Sequence, residues 1–111
     1  MDTQQGHFLV GETKYSYFKI ELENAVEVFM YGEKERLGTV AVGTPLSEER
    51  RAISSTMLGD PTRASATVAE AMAERFAAKT EKIAIVSCHL ASTKEIEIPE
   101  LLKIAFESIS L

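Results

Sequence analysis

The residues best able to do chemistry in this sequence are Cys88 and His89, the single cysteine and one of the two histidines. A thiol next to an imidazole suggests a thiolate nucleophile and its base. However, the pair lies in the apolar run 83–90, which predicts a β-strand. Neighbouring side chains of a strand point to opposite faces, so these two cannot hydrogen-bond to each other. We expect Cys88 to be a small core residue, and His7 to lie in a flexible N-terminus.

Carboxylates and hydroxyls offer no better site. Glu95, Glu97 and Glu100 resemble an acid–base pair in composition, but a helix N-terminus also favours negative charge and explains them. The hydroxyls of 54–56 have no histidine base nearby in sequence. The scattered glycines form no phosphate-binding motif, and no cluster has metal-ligand spacing. We predict no catalytic residue, no cofactor and no metal, and therefore a protein that is not an enzyme.

Length and charge narrow the class further. The 111 residues, 45% of them hydrophobic, predict a single domain over 1–111. A net charge of −5 without a Lys/Arg cluster argues against nucleic acid or an anionic membrane as a partner. One cysteine permits no internal disulfide. The N-terminus does not resemble a signal peptide, and no apolar run approaches a membrane span of roughly 20 residues. We expect a cytoplasmic location, with the nucleus as a second one.

The hydrophobic pattern predicts five strands before the first helix. The strands are predicted at 8–10, 15–22, 25–31, 37–43 and 52–58. A helix over 61–80 follows, then a strand over 83–90 and a second helix over 98–110. This order, β-β-β-β-β-α-β-α, indicates an α+β fold: an antiparallel sheet of five or six strands with both helices on one face. The helix residues expected to pack on the sheet are Val68, Met72, Phe76, Leu102 and Phe106.

The strands also carry a signal for a partner. The segments 25–31 and 83–90 are apolar on both parities, whereas a sheet with one face in water alternates between apolar and polar residues. Helices on one face cannot cover the other, so we expect a protein partner to do so. The three tyrosines fall on the less apolar parity, and tyrosine suits a partly polar interface. The predicted partner-binding residues are Tyr15, Tyr17, Phe29 and Tyr31.

One stretch of sequence has more than a periodic pattern. A hydroxyl-rich strand ends in Leu-Gly-Asp, a helix ends in Lys-Thr-x-Lys, and a strand follows with Val-Ser-x-x-Leu. The residues that carry it are Leu58, Gly59, Asp60, Lys79, Thr80, Lys82, Val86, Ser87 and Leu90. Over 54–90 this resembles the signature of the proteasome-assembly chaperone 4 family. We interpret Leu-Gly-Asp as mainly structural, because glycine permits a sharp turn and Asp60 can cap the helix; direct partner contact is the alternative.

The resemblance implies a function without chemistry. Members of that family pair with the related chaperone 3 through a β-rich interface. The heterodimer helps alpha-type subunits assemble into the ring of the 20S proteasome and is then released, without nucleotide or metal. The resemblance therefore implies a chaperone-3-like subunit and a proteasome alpha-type subunit as partners of this chain. A homodimer is the alternative when the chaperone-3-like subunit is absent.

Other classes of protein stay open at this point. A small dimeric scaffold or trafficking regulator of longin or roadblock type also combines a sheet with helices. It would place helices between hairpins earlier in the chain. An enzyme with a less obvious pocket is the third possibility. Proteasome alpha subunits in a pull-down would favour the chaperone, whereas small GTPases or membrane machinery would favour the scaffold.

Overall fold

The computed structural model describes residues 2–32, 34–46, 51–59, 64–90 and 97–111. Its elements follow the predicted order β-β-β-β-β-α-β-α, which confirms the α+β class. The strands are β1 (Asp2–Val10), β2 (Thr13–Glu21), β3 (Ala25–Tyr31), β4 (Thr39–Pro45), β5 (Ala52–Leu58) and β6 (Ile83–Cys88). The helices are α1 (Ala64–Thr80) and α2 (Ile98–Ser108). The N-cap predicted at Asp60 and the carboxylate Glu95 lie outside the described residues.

The first strand differs most from its predicted bounds. It was expected over 8–10 but begins at Asp2, because every residue from Asp2 to Val10 pairs with β2 in one antiparallel ladder. Its first half is polar and gives no hydrophobic signal, so cross-strand hydrogen bonding rather than burial extends it. His7 accordingly lies within this strand, and its expected place in a flexible N-terminus is wrong.

Six strands form one mixed sheet in the order β1-β2-β3-β6-β4-β5. All neighbours are antiparallel except β3 and β6, which run parallel. The strands β3 and β4 are consecutive in sequence but do not pair, because β6 lies between them. Short connections between consecutive strands usually give antiparallel hairpins, but these two strands form none. The helix α1 makes the crossover from the edge strand β5 back to the central strand β6.

Both helices pack on one face of the sheet, as predicted. The helix α1 lies against β4, β5 and β6, and α2 lies beside β1 and α1. The predicted contacts Val68, Met72 and Phe76 are buried. On α2 the most buried positions are Leu101 and Ala105, whereas Leu102 and Phe106 are half-buried at its margin. Within the described ranges, neither helix is long and apolar enough to cross a membrane.

Small residues bring α1 close to the sheet. Its buried stripe includes Ala69, Ala73 and Ala77, and the strand beneath it contributes Gly43. A Cβ atom at Gly43 would lie only 2.3 Å from the carbonyl oxygen of Ala73, so a side chain there would push the helix away. Close packing in turn lets the longer Val68, Met72 and Phe76 side chains fill the layer between the helix and the sheet.

The helix face generates a stability prediction. Phe76 is 2% exposed and its ring meets the edge of Phe106 at 5.6 Å between centroids. Phe76→Ala should lower the free energy of unfolding by about 3–5 kcal/mol, since it leaves a cavity in this layer. Glu74→Ala, on the exposed side of the same helix, should change it by less than about 0.5 kcal/mol. Urea melts of both variants check this, and equal losses would mean that the helix face is wrongly assigned.

Candidate functional site

The face of the sheet opposite the helices is covered by no element of the described chain, and we call it the open face. In β3 the alternation is clear: Val26, Val28 and Met30 are fully buried under the helices, whereas Phe29 and Tyr31 point to the open face and are half-buried. Cross-strand pairing aligns open-face residues into rows. One row runs Gln5, Phe18, Phe29, Ser87, Val40, Leu58 and the next runs Thr3, Ile20, Glu27, Ile85, Val42, Ser55.

Apolar side chains dominate this surface. The half-buried ones are Phe18, Ile20, Phe29, Tyr31, Val40, Val42 and Ile85. More exposed apolar side chains extend the surface to both edge strands and to the start of the central strand β6: Leu9 is 59% exposed, Ile53 59% and Ile83 43%. Because the rows join these residues from strand to strand, the open face is a contiguous apolar surface. Such a surface rimmed by polar residues marks a site of protein interaction.

One end of the open face holds a hollow of about 470 Å³. Its floor consists of the rings of Phe18, Phe29 and Tyr31, and its wall comes from the connection between β3 and β4. The residues of that wall are Glu35, Arg36 and Leu37, the last 64% exposed. An aromatic floor beside a charged wall can accept a large side chain of a partner, with Arg36 or Glu35 fixing its polar end.

Ser87 fastens this wall to the sheet. Its side chain belongs to the open face but is only 1% exposed, because the chain around Gly38 lies over it. The backbone N–H of Gly38 donates to Ser87 Oγ at 2.9 Å. A Cβ atom at Gly38 would come within 2.1 Å of the Cys88 carbonyl oxygen, so only glycine allows this approach. The motif residue Ser87 thus holds one end of the connection that forms the wall of the hollow.

The structure divides the predicted partner-binding residues between the two faces. Phe29 and Tyr31 lie on the open face as predicted, and their role in binding stays a prediction. Tyr15 and Tyr17 instead face the helices, where they are 0% and 5% exposed and pack against Phe8. The prediction that all of them share one face is therefore wrong. The open-face aromatic on β2 is Phe18, which lies directly across from Phe29.

Tyr15 and Tyr17 were predicted on the wrong face because the helix-facing side of β2 has a polar composition. Lys19 shares that side and is 7% exposed, which is unusual for lysine. Its ammonium group donates to the carbonyl oxygen of Ser110 at 2.5 Å and lies 3.9 Å from Glu21. Because the end of the chain supplies acceptors, a residue type that normally indicates solvent is buried here. The apolar side chains of Phe18 and Ile20 therefore lie on the open face.

The register could have revealed this arrangement. A tight turn at Glu23 and Asn24 places Tyr17 opposite Met30 and Lys19 opposite Val28, which is the observed pairing. The apolar side of β3 then fixes the face of Tyr17, since directly opposite residues share a face. Residue type alone pointed the other way.

The hydroxyl groups of the two buried tyrosines have different surroundings. Tyr17 donates to the carbonyl oxygen of Ser108 at 3.0 Å and accepts from Gln4 Nε2 at 3.1 Å. The Tyr15 hydroxyl is buried and has no hydrogen-bond partner among the described residues. Burial, followed by the proximity of Cys88 and Glu97, raises the pKa of Tyr15 to about 12.

The residues whose side chains could take part in catalysis or metal binding are dispersed. Cys88 is fully buried in the core as predicted, and burial raises the pKa of its thiol to about 12, so the thiolate is not available at neutral pH. The hydroxyls of Ser54 and Thr56 donate to Glu74 and Glu70 on α1, at 3.4 and 2.8 Å. The part-buried Thr56–Glu70 bond thereby ties the edge strand to the helix, whereas the longer, exposed Ser54–Glu74 contact adds little. Among the described residues no group of His, Cys, Asp and Glu could hold a metal ion.

The motif residues around α1 occupy structural positions. Gly59 has a φ of +96°, and a Cβ there would meet the Thr39 hydroxyl at 2.7 Å. At the other end of α1, Thr80 Oγ1 donates to the Phe76 carbonyl oxygen at 2.7 Å. Lys82 then donates to the Leu22 carbonyl oxygen at 2.8 Å and pairs with Glu21 at 3.4 Å. These contacts fix the end of the helix against the β2–β3 turn.

The other motif residues are less uniform. Val86 is fully buried in the core, whereas Leu58 is 56% exposed and Lys79 is exposed. The backbone N–H of Leu90, two residues after the end of β6, donates to Ser65 Oγ at 3.4 Å. This bond holds the chain that leaves β6 near the start of α1.

Comparison with known proteins supports the fold. No protein-family model and no curated protein match the sequence. The fold is similar to a chain of a chaperone complex for yeast 20S proteasome assembly, with a TM-score of 0.69 and 12% sequence identity. The similarity covers 96% of this chain and 94% of that chain. At this identity the likeness establishes a shared fold over essentially the whole domain.

The two buried tyrosines give a matched test of the corrected face. Tyr17→Phe should lower the free energy of unfolding by about 1–2 kcal/mol, since Ser108 and Gln4 lose their shared partner. Tyr15→Phe removes a buried hydroxyl without a partner and should leave stability unchanged within about 0.5 kcal/mol or raise it. Denaturant melts compare the two variants. Loss of stability in Tyr15→Phe alone would contradict the hydrogen-bond assignment.

Proposed function

We propose that this chain is an assembly chaperone that pairs through its open face with a related chaperone-3-like subunit. The pair promotes formation of the 20S proteasome alpha ring by binding alpha-type subunits, and it works in the cytoplasm, with the nucleus as a second location. The observation that carries the proposal is the contiguous apolar open face, on which Phe18 and Phe29 lie directly opposite each other.

The shape of the open face suits a partner that is itself a sheet. Its side chains form rows across all six strands, a broad layer rather than a closed pocket. Sheets stack face to face about 10 Å apart with interdigitated side chains, so a second sheet would bury these rows efficiently. The rings of Phe18, Phe29 and Tyr31 would supply the central anchors that dominate such interfaces.

Two further observations support a chaperone. The fold matches a chain of a chaperone complex for yeast 20S proteasome assembly over 96% of the present chain. In addition, five strands precede the first helix, whereas a longin or roadblock scaffold would place helices between hairpins earlier in the chain. The sequence signature over 54–90 points in the same direction, since it resembles the family whose members act in this assembly.

The proposal predicts that Phe29→Glu abolishes pairing. The substitution places a carboxylate at the centre of the interface without a counter-charge, which should weaken binding to the chaperone-3-like subunit by about a hundredfold or more. The helix-facing core does not include Phe29, so the variant should stay folded. Co-purification and titration measure pairing, and circular dichroism measures folding. In cells, alpha rings should form slowly or with misplaced subunits.

The matched control is Thr67→Glu, which adds the same charge on the exposed side of α1. It should pair like the wild type. A folded Phe29→Glu variant that binds the chaperone-3-like subunit with wild-type affinity would rule out the open face as the interface.

A further inference from the structure

Glu27 places a carboxylate in the middle of the open face. Glu27 belongs to β3, the third strand in the sheet order, and it is half-buried. Its directly opposite neighbours are Ile20 on β2 and Ile85 on β6. A glutamate between two isoleucines on a β-strand contributes nothing to packing that an apolar residue would not do better. Its position at the centre of a candidate interface therefore suggests a role in recognition.

Among the residues that the structure describes, no cation compensates the charge of Glu27. In its own row, Thr3, Ile20, Ile85, Val42 and Ser55 are all uncharged, and so are all residues of the adjacent row through Phe29. No ion pair or side-chain hydrogen bond reaches its carboxylate from the residues that the structure describes.

The cations of the open face lie at its margins. Lys14 faces the same side but sits across from Leu9 near the far end of β2, roughly 20 Å along the strand from Ile20. Arg36 lies in the wall of the hollow beside Tyr31. Neither pairs with Glu27, so none of these described cations occupies its carboxylate in place of a group from outside the chain.

We infer that the subunit covering the open face carries a lysine or arginine opposite Glu27, and that this ion pair selects it over a second copy of this chain. The inference rests on the proposed pairing through the open face. A partner that covers Ile20, Phe29 and Ile85 must also cover Glu27. Burying a lone carboxylate without a counter-charge is strongly unfavourable, so a partner without a cation there would be rejected.

The same carboxylate disfavours self-pairing. Two copies of one chain that stack through the same patch are related by a twofold axis, which passes through the patch centre. Because Glu27 lies near that centre, the two carboxylates would approach each other with no central cation to separate them. Like charges in a desolvated interface oppose association and provide specificity by repulsion. A different subunit with a basic residue at this point meets no such penalty.

The test compares Glu27→Gln with Glu107→Gln, an equivalent change on the exposed side of α2. The probe is the purified chaperone-3-like subunit, titrated against each variant by calorimetry, while sedimentation measures self-association. Glu27→Gln should weaken pairing by about tenfold or more, since it leaves the partner's cation buried without its counter-charge. It should also strengthen self-association. Glu107→Gln should do neither.

Charge reversal adds a second arm. Glu27→Lys should pair more weakly than Glu27→Gln, and replacing the facing basic residue of the other subunit by glutamate should restore binding to Glu27→Lys. Wild-type pairing by Glu27→Gln, together with lost pairing by Phe29→Glu, would overturn this inference and leave the proposed function standing. Wild-type pairing by both Glu27→Gln and Phe29→Glu would overturn the two together.

Discussion

The central strands of this sheet have apolar side chains on both faces, but both helices of the chain lie on one. Val28 and Phe29 on β3, and Val86 and Ile85 on β6, show the pattern: one of each pair is buried beneath α1 and the other points to the open face. Parallel neighbours such as β3 and β6 normally occur where both faces are covered. The apolar open face therefore needs a cover that the described part of the chain does not provide, and a sheet-like partner would provide it.

On the helix side of the sheet, the buried residues include the polar Tyr17 and Lys19. The short α2 packs beside β1, and polar residues of β1 and β2 on this side bond to Ser108, the last residue of α2, and to Ser110 after it. Tyr17 and Lys19 reach the carbonyl oxygens of Ser108 and Ser110, and Gln4 accepts from the backbone N–H of Ser110 at 3.3 Å. Hydrogen bonds to buried polar groups offset the cost of removing them from water. This arrangement frees the apolar side of β2 to face a partner.

Local sequence patterns predicted the helices and strands well, but they could not predict which strands pair when these lie far apart in sequence. The helix spacing of Val68, Met72 and Phe76, the apolar run at 25–31 and the hydroxyl-rich run at 52–58 identified the elements and their order. The insertion of β6 between β3 and β4 is a contact between residues far apart in sequence, which no local period encodes. The face of β2 was misjudged because Tyr15, Tyr17 and Lys19 look like surface residues, although the turn at 23–24 already constrained them. Phe18 and Glu27 became visible as site residues only when the register placed them in rows.

The open face should become buried when this chain binds the chaperone-3-like subunit that we propose as its partner. Hydroxyl-radical footprinting of the free chain and of the complex measures this directly, because oxidation of a side chain requires solvent contact. The account predicts that Phe18, Phe29 and Tyr31 become strongly protected in the complex. Phe106, half-buried on the helix side, should be oxidised equally in both states. Protection of Phe106 with unchanged oxidation of Phe29 and Tyr31 would contradict the account, because it would place the partner over the helices.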